Sequence, residues 1–174
     1  YGKKGWKAST IRTNSIGQGE VLVTPIQLAN AVAVIANSGY YITPHLNKSD
    51  SMLTHRHEAN VEAKHYEVVQ EGMWRVCEYG TGRYYKVPNV SMCGKTGTTD
   101  NSGGKPHSIF FGYAPRENPQ IAIAVIIENA GFGSMWACPI ATLCIEQYLT
   151  GEITRTDLFN RMKTTVLNTD VKKF

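Results

Sequence analysis

The first of three predicted strands reads Val90-Ser91-Met92-Cys93-Gly94-Lys95-Thr96-Gly97-Thr98, and two more strands follow at residues 108–114 and 120–128. The proline-containing connection at 115–119 is too short for a helical crossover, so the last two strands are expected to pair as an antiparallel hairpin. The third strand is apolar on both faces, which indicates that both faces of the sheet are covered.

The clearest helix start in the chain is Thr24-Pro25-Ile26-Gln27. Threonine is a favoured N-cap, proline suits the first helical position, and the glutamine completes a capping box. The helix that follows, over residues 26–37, is apolar on nearly every side and is therefore expected to lie in a core.

Three more helices are predicted at residues 63–79, 139–149 and 157–167. The first ends at Gly80-Thr81-Gly82 and contains Gly72, for which close packing is one explanation. Its expected buried positions are Tyr66, Val69, Met73 and Val76, and those of the last helix are Leu158, Phe159, Met162 and Val166. The predicted fold class is α+β, with helices packed on an antiparallel sheet.

Composition places the 174-residue chain among globular proteins, with 42% hydrophobic and 18% charged residues. Its net charge of +4 is dispersed, without the basic stripe of a nucleic-acid-binding surface. The four cysteines form no C-x-x-C pair and are predicted to be buried free thiols. Residues 45–62 are polar, and their scattered histidines are interpreted as part of a surface loop. We therefore expect no metal and no cofactor.

Three interpretations compete for Gly94-Lys95-Thr96-Gly97-Thr98. A phosphate-binding loop needs an earlier glycine where Asn89 stands and a helix where residues 100–104 follow, so that interpretation is rejected. A glycine-rich strand end with a surface lysine is the structural alternative. The third interpretation is the K-T-G element of penicillin-interacting serine acyl-transferases, in which a lysine, hydroxyl groups and an unsubstituted backbone border the active site.

Other segments favour the third interpretation because they occur in a fixed order around the K-T-G element. They are Ile16-Gly17-Gln18-Gly19, Thr24-Pro25-Ile26-Gln27-Leu28-Ala29, Gly80-Thr81-Gly82, Phe110-Phe111-Gly112-Tyr113-Ala114-Pro115 and Ala130-Gly131-Phe132-Gly133. Together they resemble the C-terminal part of the transpeptidase domain of class B penicillin-binding proteins, and most closely its elongation-type subfamily, penicillin-binding protein 2.

The resemblance implies part of the serine β-lactamase/D,D-transpeptidase fold without its N-terminal portion. It implies that the intact protein is a peptidoglycan D,D-transpeptidase, which cross-links the cell wall by serine acyl transfer. Lys95 and Thr98 would be catalytic, with the Thr98 N–H as an oxyanion donor. Thr96, Gly97 and Thr98 would bind substrate.

The nucleophile that this family uses, the serine of an S-x-x-K motif, is expected to lie upstream of Tyr1. The chain has one S-x-x-K, Ser102-Gly103-Gly104-Lys105, but two glycines disfavour the helix that the motif needs, and it follows K-T-G instead of preceding it. The chain contains no S-x-N. It is therefore interpreted as a C-terminal fragment that is inactive alone. Cys93 and Asp100 depart from the usual family pattern, with roles that the sequence leaves open.

The resemblance also implies partners and location: stem peptides ending in D-Ala-D-Ala, β-lactams and the cell-elongation machinery, at the periplasmic face of the bacterial inner membrane. No nucleic acid is expected. Residues 1–150 would belong to the transpeptidase domain and 151–174 to a helical tail. The strand at 120–128 would keep an open edge through which the fragment self-associates. A serine β-lactamase or β-lactam sensor, and a non-catalytic scaffold relative, remain alternatives.

Overall fold

The computed structural model describes residues 5–47, 55–101 and 103–167. The helices are α1 (Ala8–Ser15), α2 (Pro25–Ala36), α3 (Ala63–Glu78), α4 (Ala137–Thr150) and α5 (Thr156–Thr164), with a short 3₁₀ turn at Arg83–Tyr85. The strands are β1 (Tyr40–Ile42), β2 (Arg56–Glu58), β3 (Cys93–Thr99), β4 (His107–Ala114) and β5 (Ile121–Ile127). The predicted α+β class is confirmed.

The central sheet has the order β3-β4-β5, and both pairs are antiparallel, as predicted for the hairpin. Gly94 lies opposite Gly112 in the register of β3 and β4. A Cβ at either position would overlap neighbouring atoms, the Phe110 ring at Gly94 and the Cys93 carbonyl oxygen at Gly112. These glycines therefore let the two strands approach beneath the Phe110 ring.

Helices cover both faces of this sheet, so its core has two layers. On one face α4 packs on a cluster that includes Phe110, Ala114 and Ile145. On the other face α2 and α3 pack on a cluster of Val32, Met73, Cys93 and Tyr113. Within the described residues, β3 and β5 are the two edges of the sheet. The predicted K-T-G strand is thus an edge strand, and α3 is the helix that packs against it.

The helix α2 begins as its sequence predicts, but it is less buried than expected. Thr24 and Gln27 form both halves of the capping box. Val32 is the fully buried residue of the helix, whereas Ile26 is 59% exposed. The expectation of burial on every side is wrong because α2 packs on the sheet through one face only, and its first turn lies beyond the contact.

Two predictions for α3 are corrected by its packing. Its buried residues are Tyr66, Met73 and Cys77, while Val69 is 44% exposed. The buried stripe follows steps of seven and four residues, which leaves Val69 on its flank. Gly72 is exposed, and a Cβ there would meet no atom within 4 Å, so close packing does not explain it.

Three features differ from the sequence-based predictions: a hairpin, one cysteine and the end of the last helix. The hairpin of β1 and β2 overlaps the segment interpreted as a surface loop. Its three-residue strands, half-buried in β1 and exposed in β2, have no apolar alternation to reveal them. Cys77, Cys93 and Cys138 are buried, as predicted, but Cys144 is exposed. The last helix ends at Thr164, so Val166 lies beyond it and is 92% exposed.

Candidate active site

The K-T-G residues all lie in β3, so this segment is extended as predicted. Side chains alternate along a strand, so Lys95 and Gly97 share the face of α2 and α3, whereas Thr96 and Thr98 share the face of α4. The exposed Lys95 donates from Nζ to the Thr96 carbonyl oxygen at 2.6 Å. Its ammonium group therefore lies at the strand edge, beside the backbone that carries both threonines.

Thr98 presents its hydroxyl and its backbone to different neighbours. Its Oγ1 accepts a hydrogen bond from the Gly133 N–H at 3.3 Å, which leaves the hydroxyl proton available to a ligand. Its carbonyl oxygen accepts a bond from Gln18 Nε2 at 3.4 Å. Gln18 lies outside the sheet, so this carbonyl points away from β4.

The orientation of the Thr98 carbonyl also sets the direction of its N–H. In an antiparallel ladder the N–H and C=O of one residue point to the same side. The Thr96 carbonyl, two residues earlier, meets Lys95 Nζ on that side as well. The open edge of β3 therefore offers the Thr98 N–H next to the Lys95 ammonium group.

Thr96 is held by a second hydroxyl. Its side chain is nearly buried, and its Oγ1 lies 2.6 Å from Thr81 Oγ1. One of the two hydroxyls donates its proton to the other. The hydroxyl that accepts can still donate its own proton to a ligand. Because Thr81 is exposed, this pair is accessible from solvent.

The absence of a side chain at Gly133 lets the loop before α4 touch the K-T-G strand. A Cβ at Gly133 would overlap the carbonyl oxygens of Gly97 and Ile109, so Gly133 rests directly on the backbones of β3 and β4. The loop is held by Ser108, whose hydroxyl donates to the Phe132 carbonyl at 3.0 Å. A Cβ at Gly97 would approach the Ile109 side chain at 3.3 Å.

The S-x-x-K segment does not form a helix where the structure describes it. Gly103, Gly104 and Lys105 lie in a turn, and the Gly103 N–H donates to Asn101 Oδ1 at 3.2 Å. Ser102 lies outside the described residues. The turn agrees with the expectation that glycines disfavour a catalytic helix here.

Cys93 belongs to the core and not to the open edge of β3. It is fully buried, and its thiol donates to the Gln70 carbonyl oxygen at 3.5 Å. Burial raises the pKa of the Cys93 thiol, and that of the neighbouring Tyr113 hydroxyl as well. A protonated, enclosed thiol is inert, so Cys93 acts by packing.

Gln18, Thr81 and Gly133 are the site residues that reasoning from the sequence did not assign. Each belongs to a glycine-containing segment used for the family resemblance, but their contacts to β3 span 80, 15 and 35 residues. No local periodicity reports contacts of that range. The only signal was the order of the segments along the chain.

Other parts of the described chain do not compete as a catalytic centre. The residues described contain no group of three or more His, Cys, Asp or Glu side chains that could hold a metal ion. A groove of about 510 Å³ lies between α4 and α5, lined by apolar residues such as Ile140, Phe159 and Met162. This groove does not include β3.

Comparison with known proteins decides the family. The family model described as penicillin binding protein transpeptidase domain matches residues 1–145. The chain belongs to this family. The peptidoglycan D,D-transpeptidase MrdA of Haemophilus influenzae is 30% identical over 185 aligned positions, which cover 91% of this chain and 28% of that protein.

Solved structures of the penicillin-binding family share the fold. Pseudomonas aeruginosa PBP2, in complex with WCK 5153, has a TM-score of 0.73 and 30% identity, covering 88% of this chain and 36% of that one. Penicillin-binding protein A of Mycobacterium tuberculosis, an imipenem acyl-enzyme complex, has a TM-score of 0.68 and 30% identity, covering 79% and 33%. These similarities confirm the predicted class B, PBP2-type resemblance.

The chain spans only 28% and 23% of the lengths of the first two curated relatives that it matches. Within the described residues, no helix combines the length and the apolar character needed to cross a membrane. The family match ends at residue 145, and the division of the chain at residue 150 stays a prediction.

Proposed function

We propose that this chain supplies the K-T-G side of a peptidoglycan D,D-transpeptidase active site. The observation that carries the proposal is the arrangement at the open edge of β3. There Lys95 Nζ donates to the Thr96 carbonyl oxygen, and Gln18 donates to the Thr98 carbonyl oxygen. The Thr98 N–H points to the same side of the strand as the Thr98 carbonyl, away from β4. A cation, two threonine hydroxyls and a free N–H suit a substrate that ends in a carboxylate and develops an oxyanion.

The acyl donor is a stem peptide that ends in D-Ala-D-Ala. The serine oxygen bonds to the carbonyl carbon of the penultimate D-alanine, and the terminal D-alanine leaves with a proton on its nitrogen. An amine of a second stem peptide then bonds to the acyl carbon, the bond between that carbon and the serine oxygen breaks, and the amine gives up a proton to the serine oxygen. The attacking serine is proposed to come from an S-x-x-K motif outside these 174 residues.

Each K-T-G residue has a separate task in this reaction. The Lys95 ammonium group supplies positive charge beside the serine and the donor carboxylate. The hydroxyls of Thr96 and Thr98 donate to that carboxylate, and Gly97 lets the donor lie against the strand. The Thr98 N–H donates to the oxyanion, a kind of contact whose loss lowers rates by ~10²–10³.

The partners and location follow from the same proposal. β-Lactams bind as mimics of the acyl donor, and the protein acts with the cell-elongation machinery at the periplasmic face of the inner membrane. The membrane anchor is proposed to lie in a segment outside this chain.

Penicillin labelling tests the proposed function. The full-length protein is incubated with a fluorescent penicillin, and the adduct is mapped by mass spectrometry. We expect one adduct on an S-x-x-K serine outside residues 1–174, which persists for long periods, and a strong loss of labelling in Lys95→Met. Rapid release of hydrolysed penicillin would favour a β-lactamase, and an adduct on Ser102 would overturn the assignment of the nucleophile.

A further inference from the structure

The Gly17-Gln18-Gly19 loop holds one side chain against the K-T-G strand. Gly17 has a φ of 78° and Gly19 a φ of 108°, both in the left-handed region that other residues rarely adopt. The Gln18 N–H donates to the Thr13 carbonyl at 3.2 Å, which ties the loop to the end of α1. The two glycines thus allow the backbone conformation that places Gln18 in this loop.

The Gln18 side chain makes a single hydrogen bond to the proposed site. Its Nε2 lies 3.4 Å from the Thr98 carbonyl oxygen, 80 residues away in the chain. Thr98 is also held through its hydroxyl by the Gly133 N–H. The residue whose N–H faces the open edge is therefore restrained by one contact at its side chain and by another at its carbonyl.

We propose that Gln18 is a positioning residue for acyl transfer. By holding the Thr98 carbonyl, it keeps the Thr98 N–H aimed at the place where the oxyanion of the acyl donor develops. A carbonyl oxygen has two lone pairs, so the bond from Gln18 leaves one for an amide of the bound donor. This inference rests on the proposed transpeptidase function.

The test measures penicillin acylation of the full-length protein by stopped-flow kinetics, which separates the dissociation constant of the initial complex from the acylation rate constant. Gln18→Met keeps the length of the side chain and removes the donor. We expect its acylation rate constant to fall about tenfold, a part of the ~10²–10³ that loss of the whole oxyanion donor costs. The dissociation constant of the initial complex should stay within about twofold, because the donor carboxylate is held by the threonine hydroxyls.

A second variant and a matched control separate positioning from folding. Gln18→Glu keeps the shape of the side chain, but its carboxylate only accepts and repels the Thr98 carbonyl, so we expect at least as large a loss as in Gln18→Met. Gln147→Met removes a bond of the same kind, from Nε2 to the Gly151 carbonyl at 2.6 Å, away from β3. Acylation in this control should match the wild type.

Three outcomes would overturn the inference. The first is acylation of Gln18→Met or Gln18→Glu at the wild-type rate or faster, which would mean that Gln18 is idle or blocks the edge. The second is a loss of acylation rate in both variants that is absent when the assay is run well below their melting temperatures, because such a loss reflects unfolding. The third is an equal loss in Gln147→Met. Failure of the wild type to form any penicillin adduct would instead refute the proposed function.

Discussion

At the residue scale, the closest fit in the site is that of Gly133 on the strand backbone. Replacing it by alanine would force a methyl group into the carbonyl oxygens of Gly97 and Ile109, which belong to rigid strands. We expect Gly133→Ala to lower the free energy of unfolding by about 1–3 kcal/mol, as overpacking does. It should also slow penicillin acylation, because the methyl group pushes the loop off β3 and carries the backbone N–H of residue 133 away from the Thr98 hydroxyl.

Urea unfolding and penicillin labelling of the full-length protein check this expectation. Gly131→Ala is the matched control in the same loop: its φ of 93° strains an alanine, but a Cβ there meets no atom within 4 Å. The control should lose some stability and keep its acylation rate. Normal stability and acylation in Gly133→Ala would contradict the close packing of Gly133 on β3 and β4 and the role of its N–H at Thr98.

The residues of the site differ in how far sequence alone predicted them. Lys95, Thr96 and Thr98 were assigned from one short motif, and the extended conformation predicted for them is confirmed. Gln18 and Thr81 were quoted without a role, because their partners on β3 are 80 and 15 residues away. Hydrogen bonds of that range depend on how the elements pack, which local patterns do not encode.

At the scale of single elements, α3 carries a glycine that its packing does not require. Gly72 is exposed in the middle of the helix, and a Cβ there meets no neighbour. We expect Gly72→Ala to stabilise the protein by about 0.5–1 kcal/mol, because alanine loses less backbone freedom on folding. Urea unfolding checks this value, and a destabilised variant would reveal a contact that the fold does not show.

The joint between α4 and α5 depends on one buried ion pair. Arg155 Nε lies 2.8 Å from Glu146 Oε2, and the Glu146 side chain is only 2% exposed. Arg155→Met leaves that carboxylate without its cation, so we expect a loss of about 3–5 kcal/mol in the free energy of unfolding. Arg75→Met breaks the exposed pair with Glu71 and should cost about 1 kcal/mol or less. Equal losses in thermal or urea unfolding would contradict the distinction.

The same carboxylate makes stability depend on pH. Burial alone would raise the pKa of Glu146, but hydrogen bonds from Thr154 and Arg155 outweigh it and hold the pKa below its ordinary value. A depressed folded-state pKa contributes stability above the unfolded value of about 4.3, and this contribution is lost as the pH falls through the folded value. We expect the melting temperature to fall in acid below that point, and to fall less in Glu146→Gln.

Helices and strands that pack in the core were predictable from their sequence patterns, whereas an element near the surface was not. The apolar residues of β5 and the capping box of α2 predicted these elements correctly, because burial and end-capping each favour particular residue types. The short hairpin of a half-buried β1 and an exposed β2 has no such selection and was missed. The burial of α2 was overestimated because composition reports how apolar a helix is, not how much of it meets a partner.

At the scale of the whole molecule, the sheet has an apolar edge at β5 in the part that the structure describes. The direction of the Thr98 carbonyl fixes which backbone groups face that edge. The backbone N–H and C=O of Thr98 point away from β4, where Ser108 is its partner. The N–H and C=O of Ser108 therefore point to Ile127 on β5. Alternation then directs the N–H of Ala124 to the open edge.

We therefore expect this 174-residue chain, prepared by itself, to self-associate through β5 as its concentration rises, because an unpaired apolar strand pairs with another chain. Ala124→Pro removes an N–H at that edge, where proline is tolerated, and should reduce the association. Light scattering after gel filtration measures the mass of both proteins, with Gly72→Ala as a control that leaves the edge intact. A wild-type chain that stays monomeric at high concentration and melts in one sharp transition would show that the edge is closed in solution. Equal association of Ala124→Pro and wild type would place the contact elsewhere, with the apolar groove between α4 and α5 as the next surface to test.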